Sequence, residues 1–210
     1  MMQITIISDL HGYYPILTEG DLLIIAGDLT ARDTENEYDN FEDWLKKQNY
    51  RKKIVIGGNH DVYLEKNFPN GLQPFACAEY LCDSATEFEG LKIYGTPYTK
   101  QFTGQNPKCM AFSVPSEFQL LDHFDLIPDK TDILITHSPP LGILDQCLSG
   151  RAGSEMLRRN IFRVRPRLCC FGHIHEQGGK SLTIEGITFA NCSIVNEYYK
   201  NVNKPTIVEL

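Results

Sequence analysis

The sequence predicts an α/β fold of two packed sheets with helices outside, on two observations. Short β-branched apolar runs alternate with amphipathic stretches of helical period, which is how strand–helix–strand units around a largely parallel sheet read. Later in the chain, apolar segments fold back across Glu89-Gly90 and Glu185-Gly186, which reads as antiparallel hairpins.

Taken in order, Ile4–Ser8 is the first strand and Asp21–Ala26 the second. Asp39–Gln48 carries Phe41, Trp44 and Leu45 at helical spacing, and Lys53–Gly57 is again a strand. Tyr80–Tyr94 reads as a hairpin, followed by a strand at Ile133–Thr136. Ser154–Phe162 is a helix, with Met156, Leu157, Ile161 and Phe162 on one face and Ser154 with Glu155 at its start. Leu168–Phe171 is a strand, Leu182–Asn191 a second hairpin, and Thr206–Glu209 a final strand after Pro205.

At 210 residues the chain is expected to form one domain, residues 1–210, because one core serves roughly 200–250 residues. No repeat, low-complexity segment or composition break divides it. No apolar run approaches the ~20 residues of a membrane span. The start, Met1-Met2-Gln3-Ile4, lacks a basic leader, so a cytoplasmic location and no membrane partner are expected. Seven cysteines, an odd count with no CxxC pair, point to free thiols. A net charge of -7 argues against broad nucleic-acid binding. Arg151 to Arg167 holds six arginines against the single acid Glu155 and reads as the solvated face of a helix.

The strand ends carry the chemistry. Ile7-Ser8 runs into Asp9-Leu10-His11-Gly12, where residues two apart point the same way and can grip one ion. Ile24-Ile25-Ala26 runs into Gly27-Asp28, and Ile54-Val55-Ile56 into Gly57-Gly58-Asn59-His60-Asp61. Thr136 leads to His137, and Phe171 to Gly172-His173-Ile174-His175. Five of the six histidines therefore sit at or just past an apolar strand end; His123 does not. Buried imidazoles and carboxylates gathered this way cost several kcal/mol unless an opposite charge joins them, and bound cations supply it. Asp9, His11, Asp28, Asn59, His137, His173 and His175 are too many donors for one tetrahedral ion. They suit two ions of ~5–6 coordination sharing a carboxylate. Imidazole mixed with carboxylate points to Mn, Fe, Zn or Co rather than Mg or Ca. No cysteine falls at a ligand position.

These blocks, in this order, resemble the five-block signature of calcineurin-like metallophosphoesterases over nearly the whole chain. Gly95-Thr96-Pro97-Tyr98-Thr99, His137-Ser138-Pro139-Pro140-Leu141-Gly142, Arg165-Pro166-Arg167 and Asn191-Cys192-Ser193 further resemble its small metallophosphoesterase-domain-containing branch, which includes class III cyclic-nucleotide phosphodiesterase-like enzymes. Two departures matter. Glutamate often stands where Asp61 is, and some members of the branch carry glycine for one late-block histidine and lose activity, whereas His173 and His175 are both present here.

The resemblance implies a four-layer α/β/β/α sandwich of two mixed β-sheets flanked by helices, without a cap domain. It implies two divalent ions, manganese foremost, one held by Asp9, His11, Asp28 and His175. The other would be held by Asp28, Asn59, His137 and His173, with Asp28 bridging. The expected activity is hydrolysis of small phosphodiesters, cyclic nucleotides among them, by in-line attack of a metal-bridging hydroxide. His60 is expected as general acid, with Asp61 orienting its ring. Tyr13, with Tyr14 beside it, Arg32 and Asn191 are candidate substrate contacts. The alternatives are a phosphomonoesterase or nuclease of the same fold, or a non-catalytic scaffold. The sequence leaves the oligomeric state open.

Overall fold

A computed structural model describes residues 1–68, 72–102, 104 and 106–210. The first half builds one sheet from β1 (Gln3–Ile7), β2 (Gly20–Ala26), α1 (Glu35–Lys46), β3 (Tyr50–Ile56), α2 (Val62–Asn67) and β4 (Glu79–Tyr80). A second sheet follows from β5 (Ser84–Phe88) and β6 (Leu91–Thr96). After the short β7 (Thr99–Lys100), β8 (Ser113–Val114) and α3 (Leu121–Phe124), β9 (Ile133–Thr136) joins that sheet. A small ribbon, β10 (Gln146–Cys147) and β11 (Gly150–Arg151), precedes α4 (Glu155–Val164) and β12 (Leu168–Phe171). The chain ends in β13 (Lys180–Ile184), β14 (Ile187–Asn191) and β15 (Thr206–Glu209).

The two main sheets have orders β15-β1-β2-β3-β4 and β13-β14-β12-β9-β6-β5. β1, β2, β3 and β4 run parallel, as do β6, β9, β12 and β14, and antiparallel strands flank each set. Three apolar clusters define the layers. Ile4, Ile6, Ile24, Ile54 and Ile56 of one sheet meet Ile93, Ile133, Ile135 and Cys170 of the other, so the sheets pack face to face. Phe41 and Leu45 of α1 and Leu64 of α2 cover the outer face of the first sheet against Ile7, Leu23 and Val55. Leu157, Ile161 and Val164 of α4 and Phe124 of α3 cover the second against Leu134, Cys169 and Phe189. This is the expected helix–sheet–sheet–helix order. Parallel strands with both faces covered must read as continuous apolar runs, and these do.

Two boundaries differ from the sequence expectation. α1 starts at Glu35, four residues before Asp39, because Thr34 and Glu37 form a capping box that the apolar spacing does not reveal. Tyr80 pairs in parallel with Val55 in the first sheet, so the hairpin begins at Ser84. The other elements match to within a few residues: α4 is capped by the Ser154 hydroxyl, which accepts from the Leu157 N–H at 3.1 Å. The arginine-rich stretch is spent on structure, with Arg163 paired to Asp129 and Arg165 to Glu185. All seven cysteines are free. His123 lies apart from the other histidines, its Nδ1 2.6 Å from Asp83, tying α3 to the loop before β5. No helix among the described residues is long and apolar enough to cross a membrane.

Candidate metal centre

The carboxyl ends of β1, β2, β3, β9 and β12 face one another, which is where open α/β sheets place their functional loops. Four of the seven expected donors lie in left-handed backbone: Asp9 at φ 55°, His11 at 43°, Asp28 at 56° and His173 at 66°. Each such residue costs on the order of 1–3 kcal/mol and persists only where the surroundings enforce it. The turns fit because there are no side chains beneath them. A Cβ on Gly58 would fall 2.3 Å from Asp28 Oδ1, and one on Gly172 would fall 2.0 Å from Asp9 Oδ2.

The donors converge in two groups. On one side His175 Nε2 lies 3.3 Å from Asp9 Oδ1 and 3.4 Å from His11 Nε2, which is 3.7 Å from Asp28 Oδ2. On the other, His137 Nε2 and His173 Nδ1 both face Asn59 Oδ1, at 3.0 and 2.9 Å, with His137 Nε2 3.4 Å from Asp28 Oδ1. Asp28 belongs to both groups. Asp9, His11 and His175 offer donor atoms within 4.8 Å of one another, as do Asp9, Asp28 and His137, and His11, Asp28 and His60.

Supporting hydrogen bonds fix each donor. His137 Nδ1 lies 2.9 Å from the Ala26 carbonyl, so Nδ1 is a donor there and Nε2 turns inward toward the centre. Asn59 donates its amide to the Cys109 carbonyl at 3.0 Å, leaving its oxygen to the centre. Asp9 accepts from the His173 N–H at 3.0 Å, and Asp28 from the His60 N–H at 2.9 Å. Imidazole nitrogens and carboxylates crowd together here, and divalent cations suit that donor set.

A family model for calcineurin-like phosphoesterases matches residues 2–177. The chain belongs to that family. Metallophosphoesterase domain-containing protein 1 of Homo sapiens is 35% identical over 97% of this chain and 69% of its own length. A UPF0046 protein of Caenorhabditis elegans is also 35% identical, over 92% of this chain, but the chain spans only 55% of that protein. Among solved structures, the phosphopantetheinyl hydrolase of Mycobacterium tuberculosis superposes with a TM-score of 0.61 at 16% identity, covering 94% of this chain and 90% of that one. A Thermus thermophilus protein gives 0.59 at 15% identity, covering 90% and 88%. These last two show the shared fold. Family membership implies metal-dependent phosphoester hydrolysis.

The electrostatics of this centre suit cations. Burial pushes Asp9 up, but the hydrogen bond and charge of His175 outweigh it and hold Asp9 at about 2. Burial likewise works against Asp28, yet His137 and His60 hold it well below the usual carboxylate range. Burial lowers His11 to about 4 and, with the charge of His137, His173 to about 3. His137 resists its own burial because Asp28 stands beside it, and rises to about 9. His175 is also raised, by Asp9 against burial. The two buried carboxylates thus favour positive charge beside them, which divalent cations would supply.

Asp61 does not orient His60. Its oxygens accept from the N–H groups of Gly58, Asp28 and Leu29 at 2.8, 2.9 and 3.1 Å and from the Tyr38 hydroxyl at 2.9 Å. The turn into α2 points consecutive side chains in different directions, so Asp61 faces inward and splints the Asp28 loop. Burial, then the charge of Asp28, pushes it up to about 7 despite those bonds. His60 lies at the cleft, its Nε2 3.9 Å from Asp28 Oδ2 and its ring edge-to-face with His11.

Asn191 is no substrate contact. It is fully buried and braces the fifth block, its amide donating to the carbonyls of Gly172 at 3.3 Å and Ile174 at 3.0 Å. Tyr13 and Arg32 are exposed outside the residues that line the cleft, and Tyr14 packs against Trp44 and Phe41. The cleft measures about 670 Å³, and its walls include Lys100, Phe102, Glu117, Arg151, Glu197 and Tyr199. None carries a sequence signal: they come from the loops and short ribbons after the strands of the second sheet, brought together only by folding.

Proposed function

We propose that the protein hydrolyses small phosphodiesters at a centre of two divalent cations, manganese foremost. The observation that carries this reading is the pair of donor groups sharing Asp28, with His60 beside them at the mouth of a cleft. Asp9, His11, Asp28 and His175 would hold one ion, and Asp28, Asn59, His137 and His173 the other. Bound there, the ions would supply Lewis acidity, activating water near neutral pH and neutralising the phosphoryl oxygens.

The chain's own groups do the rest. Asp9 and Asp28 return only part of the charge of two divalent ions, so the centre attracts an anionic phosphoester. The cleft wall carries Glu117, Glu176 and Glu197 against Lys100 and Arg151, which repels a long polyanion and favours a small substrate over nucleic acid. His60, partly exposed at the cleft, donates the proton that the departing alkoxide needs. The histidine and aspartate backbone contacts hold these groups in place before substrate arrives.

Metal analysis and turnover of bis-p-nitrophenyl phosphate with added Mn²⁺ test the reading. Two ions per chain and diester turnover exceeding that of p-nitrophenyl phosphate are expected. Two ions with no turnover would make the protein a scaffold, and preference for the monoester would make it a phosphomonoesterase.

A further inference from the structure

We propose that Tyr199 and Phe102 bracket the mouth of the metal centre as an aromatic clamp, selecting phosphoesters whose substituent is planar and apolar. The proposal rests on the phosphoester reading and names its substrate class.

Tyr199 is held by a tight turn after Val195. Asn196 donates its N–H to the Lys200 carbonyl at 3.0 Å, and its own carbonyl accepts from the Tyr199 N–H at 2.8 Å. The Asn196 side-chain oxygen accepts from the N–H groups of Tyr198 and Lys200, both at 3.0 Å. This turn keeps Tyr199 at φ 57°, a left-handed conformation that a bulky aromatic residue rarely adopts. Backbone strain of this kind gathers at ligand clamps and other functional sites.

The strain places the ring. It stands edge-to-face over His175, with centroids 5.0 Å apart at 89°, and over His11 at 4.8 Å, and it lies 6.3 Å from His60. Phe102 stands edge-to-face with His173, its centroid 6.4 Å away. His11 and His175 belong to one donor group and His173 to the other, so each ring stands beside a different donor group. The Tyr199 hydroxyl makes no hydrogen bond among the described residues, and the ring lines the cleft.

Tyr199 and Phe102 both line the cleft and are 48% and 56% exposed, so each ring is open to a ligand there. Two exposed aromatic rings offer stacking to a planar group on the phosphoester.

Calorimetric binding of phenylphosphonate and methylphosphonate to the Mn²⁺-loaded protein tests the clamp without a leaving group to confuse it. Stacking on an aromatic side chain predicts about tenfold tighter binding of the phenyl compound. Tyr199→Leu and Phe102→Leu should each narrow that ratio severalfold, and Tyr199→Phe should keep it. Equal affinity of the two phosphonates in the wild-type protein overturns the clamp, and this comparison needs no variant to fold. An unchanged ratio in both leucine variants overturns it as well. If neither phosphonate binds, the phosphoester reading of the centre fails first and the clamp falls with it.

Discussion

Gly172→Ala adds one methyl group behind the centre. It changes no donor, which makes it a sharp test of how the centre is held. The new Cβ would meet Asp9 Oδ2 at 2.0 Å, Ser8 Oγ at 2.2 Å and Ser8 Cβ at 2.6 Å, where real Cβ contacts stay above 3.0 Å. The neighbours must therefore retreat by about 1 Å. The Asp9 carboxylate cannot absorb that freely, because the His173 N–H binds both of its oxygens and His175 Nε2 lies 3.3 Å from Oδ1. Metal sites tolerate about 0.2 Å in ligand distance, so a displacement several times larger should abolish binding of the ion held by Asp9. Overpacking of this kind costs about 1–3 kcal/mol of stability, which leaves the protein folded. Elemental analysis after manganese loading, with thermal unfolding as the control, should show a folded protein short of at least one ion and inactive. A folded Gly172→Ala protein holding two ions with wild-type turnover would refute the claim that Asp9 is a tightly packed ligand.

Other outcomes follow from the same geometry. His60→Ala should lose ~10²–10⁴-fold in turnover of alkyl diesters and much less for p-nitrophenyl esters, while manganese content stays near normal; equal losses on both substrates would remove His60 as proton donor. Asn191→Ala strips hydrogen bonds from the Gly172 and Ile174 carbonyls at about 1–3 kcal/mol for each group left unsatisfied, and should weaken metal affinity about 10–100-fold in equilibrium dialysis without altering substrate preference. Because His137 sits at about 9 without ions, a cation binding at pH 7 must displace its proton. Affinity should therefore fall about tenfold per pH unit from pH 8 to 6 for each proton displaced. Calorimetry in two buffers of different ionisation heat should register that release, and identical heats in both would contradict it.

The nature and order of the candidate donors are legible in the sequence, since parallel strands buried on both faces read as apolar runs that end in polar residues. That rule places Asp9, His11, Asp28, Asn59, His137, His173 and His175 at strand ends, along with the strands that carry them. The layering followed too, from helical periodicity between the runs. What the sequence leaves undetermined is direction and company. Asp61 adjoins His60 in the chain yet turns inward to three N–H groups, because successive residues leaving a strand into a helix diverge. Asn191 lies on a neighbouring strand and braces the turn from behind, a role that depends on β12 and β14 pairing in register. The cleft walls are the extreme case: Phe102 and Tyr199 are nearly a hundred residues apart, on irregular loops whose path no periodicity encodes. Only the packing of the two sheets brings those rings to one cleft.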